Sequence, residues 1–62
     1  LPEPTAEAMA LHFILGMTVD EIAATAAVSP NTVWSRLRLG KSAMRKRLRR
    51  DPRLAELLRV FE

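Results

Sequence analysis

Cysteine and tyrosine are absent from the 62 residues, and two phenylalanines and one tryptophan are the only aromatic side chains. Without cysteine there is no disulfide scaffold, no thiolate zinc site and no sulfur nucleophile, and a reducing compartment is the default expectation. Histidine occurs once, as His12. It has no second imidazole or thiolate to complete a metal site, so it reads as a surface or interface residue. Glycine occurs only as Gly16 and Gly40, too few and too far apart for a loop that cradles phosphates. The one carboxylate pair, Asp20-Glu21, occupies adjacent positions that diverge on a helix, and Ser29, His12 and Asp51 have no spacing that would bring them into a triad. Neither catalysis nor a cofactor or metal is expected. No apolar run reaches the roughly 18 residues of a membrane span, and no basic leader precedes an apolar stretch, so a cytoplasmic chain is expected. A first residue of leucine rather than methionine points to a piece of something longer.

What is present is a composition for one small folded unit. Hydrophobic residues make up 48 % and charged residues 27 %, well away from disordered chains. A chain this short buries only about 60 % of the surface it exposes when unfolded, so its core is thin. Charge is divided along the chain. Residues 1–30 hold Glu3, Glu7, Asp20 and Glu21 and no lysine or arginine, whereas residues 31–62 hold all 10 basic side chains. Arg36, Arg38, Lys41, Arg45, Lys46, Arg47, Arg49 and Arg50 follow one another with no acid among them. A cluster of that kind suits a polyanion, because each phosphate it neutralises releases condensed counterions. A solvated helix face is the plain alternative.

Helix signals recur and strand alternation does not. Thr5 is a plausible N-cap for a first helix over Ala6 to Leu15, with Gly16 placed to end it in a left-handed conformation. Thr18 and Glu21 have capping-box spacing, opening a second helix from about Val19 to Ala26. Ser29-Pro30 supplies a serine cap and a proline at the first helical position of a third helix reaching about Arg50. Asp51-Pro52 ends that helix and offers a cap for a fourth, in which Leu54, Leu57, Leu58 and Phe61 fall at i, i+3, i+4 and i+7. The fold class is all-α: three helices plus a short fourth, with residues 1–50 as a helix-turn-helix domain and 51–62 as an amphipathic C-terminal helix.

At 100° per residue the third helix has two faces. Val33, Leu37, Gly40, Met44 and Leu48 share one, which is the expected core side. Gly40 there would admit a close neighbour, the second or fourth helix. Asn31, Ser35, Arg38, Ser42, Arg45 and Arg49 share the other, with Trp34 and Lys41 at the boundary. A short helix, a tight turn and a longer helix with a polar basic outer face is the helix-turn-helix plan, whose second helix reads the major groove. Asn31, Trp34, Ser35 and Arg38 are the candidate base-reading residues, since asparagine pairs with adenine, arginine with guanine, and an apolar ring with a thymine methyl. Trp34 could equally cover the edge of the core. Arg36, Lys41 and Arg45 are the candidate phosphate contacts. Leu39 is either a partner contact or a scattered surface leucine.

The residues Leu1-Pro2-Glu3, the run Gly16 to Ala23, and the run Val28 to Leu37 together resemble region 4 of the bacterial sigma-70 family, most of all its extracytoplasmic-function group. The likeness covers about Leu1 to Leu48. It implies a domain that recognises the −35 promoter element for RNA polymerase, touches the flap of the polymerase β subunit, and is sequestered by an anti-sigma factor. Asn31 stands where the family often has glycine, Trp34 where a basic residue is common, and Leu39-Gly40 where an arginine-alanine pair is frequent. The promoter sequence therefore does not carry over from relatives.

Two other readings share these features. The output domain of a LuxR-type regulator has similar Glu-Ile-Ala and Thr-Val motifs and would dimerise through its last helix. A sigma-like decoy would turn the basic face to an acidic protein partner. Leu39, Leu54, Leu57, Leu58 and Phe61 form the expected partner surface, unless the fourth helix folds back to enlarge the core. The first helix, apolar nearly all round, is expected to be buried on several sides.

Overall fold

The computed structural model describes residues 2–61, with side chains through residue 57 and at residue 59. Three α-helices, α1 (Glu3–Phe13), α2 (Val19–Ala26) and α3 (Pro30–Arg50), are followed by a C-terminal 3₁₀ helix over Pro52–Phe61. No strand occurs among the described residues. At 1.5 Å per residue α3 spans about 31 Å, which accounts for most of the 38 Å long axis of the molecule.

The helix boundaries follow their chemistry at α2 and α3. The Thr18 hydroxyl accepts the Glu21 backbone N–H at 3.1 Å, and the Glu21 carboxylate accepts the Thr18 N–H at 3.0 Å, which is the reciprocal capping box. These bonds, the one from the Thr18 backbone first, hold the Glu21 carboxyl below its ordinary pKa. Helix α2 ends in a Schellman turn: Val28 N–H donates to Ala23 O at 3.1 Å and Ala27 N–H to Ala24 O at 3.4 Å. Ala27 adopts φ +57° there, a conformation in which a β-carbon costs about 1–2 kcal/mol. The Ser29 hydroxyl then accepts the Thr32 N–H at 3.3 Å with Pro30 in the first turn, and α3 begins.

The first helix differs from expectation. Thr5 is not its cap: the helix starts at Glu3 with Pro2 in the capping position and no side-chain cap, and Thr5 is buried inside it at 4 % exposure. Pro4 in the first turn explains this, because its fixed φ suits a helix start and its missing N–H leaves no donor to satisfy. The helix also stops at Phe13, two residues early, where Ile14 N–H and Leu15 N–H both donate to Ala10 O and Met17 N–H donates to Leu11 O. Gly16 follows at φ +70°. Ile14 and Leu15 are therefore outside the helix and stand 79 % and 68 % exposed, so the C-terminal end of this apolar segment is not buried.

Ala8 and Met9 of α1, Ile22 and Ala23 of α2, and Val33 and Leu37 of α3 form the core, with Leu11, Met17, Val19, Val28 and Met44 packed around it. Gly40 admits α1 rather than the second or fourth helix: a β-carbon there would sit 2.5 Å from Met9 Cγ and 2.6 Å from Met9 Sδ.

The fourth helix begins where Asp51-Pro52 predicts but is 3₁₀, not α. Asp51 caps it by accepting the Arg53 N–H at 3.0 Å and pairs with the Arg53 guanidinium at 2.8 Å, which holds the Asp51 carboxyl below its ordinary pKa and raises that of Arg53. Among the described residues the 3₁₀ helix packs on α3 alone. Leu54 is half-buried and Leu57 exposed, while the side chains of Leu58 and Phe61 lie outside the described residues. At three residues per turn Leu54 and Leu57 eclipse, so these two share one side of the segment.

Candidate nucleic-acid interface

The core fixes which way α3 faces. Val33, Leu37 and Gly40 are buried against α1 and α2, so the opposite side of the helix is left to solvent. Asn31, Ser35 and Arg38 are exposed on it, one above the next. Trp34 is 54 % exposed and does not close the core edge. Leu39, at 64 % exposed, also stands open.

Around this face the basic residues divide into three settings. Arg38, Lys41 and Arg45 line a groove between the end of α1 and the flank of α3, together with Trp34. Lys41 and Arg45 are half-buried, and the Arg45 Nε donates to Lys41 O at 3.4 Å, laying that side chain along the helix. Arg36 lies elsewhere, in a groove with Glu3 and Glu7 of α1 and Ala26 of α2. Lys46, Arg47 and Arg50 line a third groove with Ala6 and Met44, where the first helix crosses the end of α3.

Two residues enter the first groove that periodicity on α3 could not supply. His12 and Phe13, from the last turn of α1, line it across from Arg38 and Lys41. The His12 Nδ1 donates to Met17 O at 2.8 Å, and the His12 and Phe13 rings meet edge to face with centroids 4.9 Å apart. The sequence signal for this was slight: a histidine one turn before a helix end, with a carbonyl five residues on.

Among the described residues no group of histidines or acids could hold a metal ion, and no helix is long and apolar enough to cross a membrane. The arrangement offers hydrogen-bond donors and positive charge along an extended helix, which is chemistry for binding.

Residues 1–44 match a family model described as Sigma-70, region 4. Neither the curated proteins nor the solved structures gave a match. The chain thus belongs to the sigma-70 region 4 family, whose members in sigma factors bind the −35 promoter element and are regulatory rather than catalytic.

Proposed function

We propose that this region 4 domain serves a sigma factor of the extracytoplasmic-function group, laying α3 in the major groove of a −35 element with Asn31, Trp34, Ser35 and Arg38 toward the bases. The observation that carries the reading is the outward face of α3, where these four side chains stand exposed in successive turns while the helix is anchored by its buried opposite side. A major groove is wide enough for one helix and presents a distinct donor and acceptor pattern for each base pair. Lys41 and Arg45 flank that face and take phosphates. Arg36 shares the task from the side of α3, in a groove that Glu3 and Glu7 also line.

The partners proposed with DNA are the RNA polymerase core, through the β flap, and an anti-sigma factor, with Leu39 and the apolar residues of the C-terminal segment, Leu54, Leu57, Leu58 and Phe61, as their surface. The place of action is the bacterial cytoplasm, where promoter and polymerase are.

Duplex selection followed by titration over a range of salt tests this. Arg38→Ala should weaken the selected site by about 1–3 kcal/mol and relax preference at one base pair. Lys41→Ala should weaken all duplexes alike and lower the salt slope by about one. Equal loss on every sequence for Arg38→Ala would move that residue to the backbone. Absence of binding at low salt, with tight capture of an anti-sigma factor, would replace the promoter reading by the decoy.

A further inference from the structure

We propose that Lys46 is a modification site: its Nζ takes an acyl group from a short acyl phosphate held in the groove where α1 crosses the end of α3. Neither the site nor its chemistry depends on DNA binding.

Helical spacing assembles the site. Ala43, Lys46, Arg47 and Arg50 stand at i, i+3, i+4 and i+7 of α3, so they share one stripe of its surface, and Ala6 of α1 and Met44 close the groove beside them. Lys46, Arg47 and Arg50 are all exposed, and no side chain among the described residues pairs with any of them. Among the described residues no carboxylate lines the groove. Three cations without a counter-charge repel one another, and a phosphate between them reverses the sign of each interaction. The two guanidiniums are suited to hold it, since their planar forks match phosphate oxygens two at a time. Lys46 then supplies a nucleophilic nitrogen, and two alanines and a methionine form an apolar floor for the acyl chain.

An acyl phosphate joins the two halves of that groove in one molecule, an anion at one end and a short apolar chain at the other. Lys46 Nζ gives a proton to solvent, its lone pair forms the C–N bond to the acyl carbon, and the C–O bond to phosphate breaks with its electron pair leaving on inorganic phosphate. Arg47 and Arg50 hold that leaving group and stabilise the charge that grows on it as the bond breaks. The product is an uncharged amide, so the basic run of α3 loses one positive charge. Lys41 is the only other lysine. It too has arginines nearby, Arg38 and Arg45, but it is half-buried, and the Arg45 Nε is engaged with the Lys41 carbonyl. Lys46 is therefore the faster of the two.

The test exposes the 62-residue chain to acetyl phosphate and follows both lysines by peptide mass spectrometry. Lys46 should be acetylated about tenfold faster than Lys41, the size of one hydrogen bond to a charged group. Added inorganic phosphate should slow Lys46 more than Lys41. Arg47→Gln combined with Arg50→Gln should bring Lys46 down to the Lys41 rate, with helical circular dichroism confirming that the fold survives. Acetic anhydride, which has no phosphate to hold, should modify the two lysines of the wild type at rates that differ far less. Equal rates with acetyl phosphate would overturn the assignment, as would a Lys46 preference that persists in the double variant or is as large with acetic anhydride.

Discussion

The corner where α1, α2 and α3 meet and the tail beyond Arg50 solve the same problem, an apolar face in need of cover, with unequal success. In the corner each helix contributes two residues to one cluster, and Ile22 and Val33 are the most deeply buried large side chains. Among the described residues the tail packs on one neighbour only and leaves Leu57 half in water. A face covered from two directions becomes core, and a face covered from one remains a surface that a partner can still use. That difference places the rigid part of the domain directly behind the candidate reading residues, and the less constrained part at the far end of α3.

Core truncation gives the sharpest contrast. Ile22→Ala should destabilise by about 2–5 kcal/mol, as for other buried aliphatic truncations, and denaturant unfolding measures it. In a domain of this size that is a large share of the total. A loss below 1 kcal/mol by the same measurement would mean that the corner is not the core.

The second contrast tests close approach. Gly40→Ala removes a helix-interior glycine, which by itself is worth up to about 1 kcal/mol in favour of the variant. The new β-carbon would nevertheless lie 2.5 Å from Met9 Cγ. Overpacking of that kind costs about 1–3 kcal/mol, so the net change should be a loss. Adding Met9→Ala should recover part of it, a coupling that the double-mutant cycle measures. Purely additive losses would show that the two residues do not meet.

Removing residues 52–62 should have the smallest effect. Among the described side chains no residue of the shared cluster comes from the tail, so a loss of about 1 kcal/mol is expected, a common size for one substitution. For so small a domain that lowers Tm by about 4–8 °C, which calorimetry resolves. A truncated chain that no longer folds would make the tail part of the core and erase the distinction.

Much of this was legible from local chemistry. Thr18-x-x-Glu21 and Ser29-Pro30 placed the starts of α2 and α3, since a cap depends on residues within one turn. The 3.6-residue spacing of Val33, Leu37 and Gly40 chose the buried side of α3, and with it the outward position of Asn31, Ser35 and Arg38. Thr5 misled because its cap chemistry is real but two prolines had already started the helix. The tail differs in helix type, 3₁₀ rather than the α that its spacing suggests, because apolar spacing alone does not fix the number of residues per turn.

By itself the sequence determined an all-α chain, the basic outer face of its longest helix, and membership of a family through motifs that carry turns and caps. These are short-range properties, set by residues within a few positions of one another. Only the tertiary structure decided that Gly40 faces Met9, that Arg36 shares a groove with Glu3 and Glu7, and that His12 lines the same groove as Arg38 and Lys41. Those pairings join residues roughly 25 to 35 positions apart, and they follow from the angles at which whole helices pack, which no local pattern encodes.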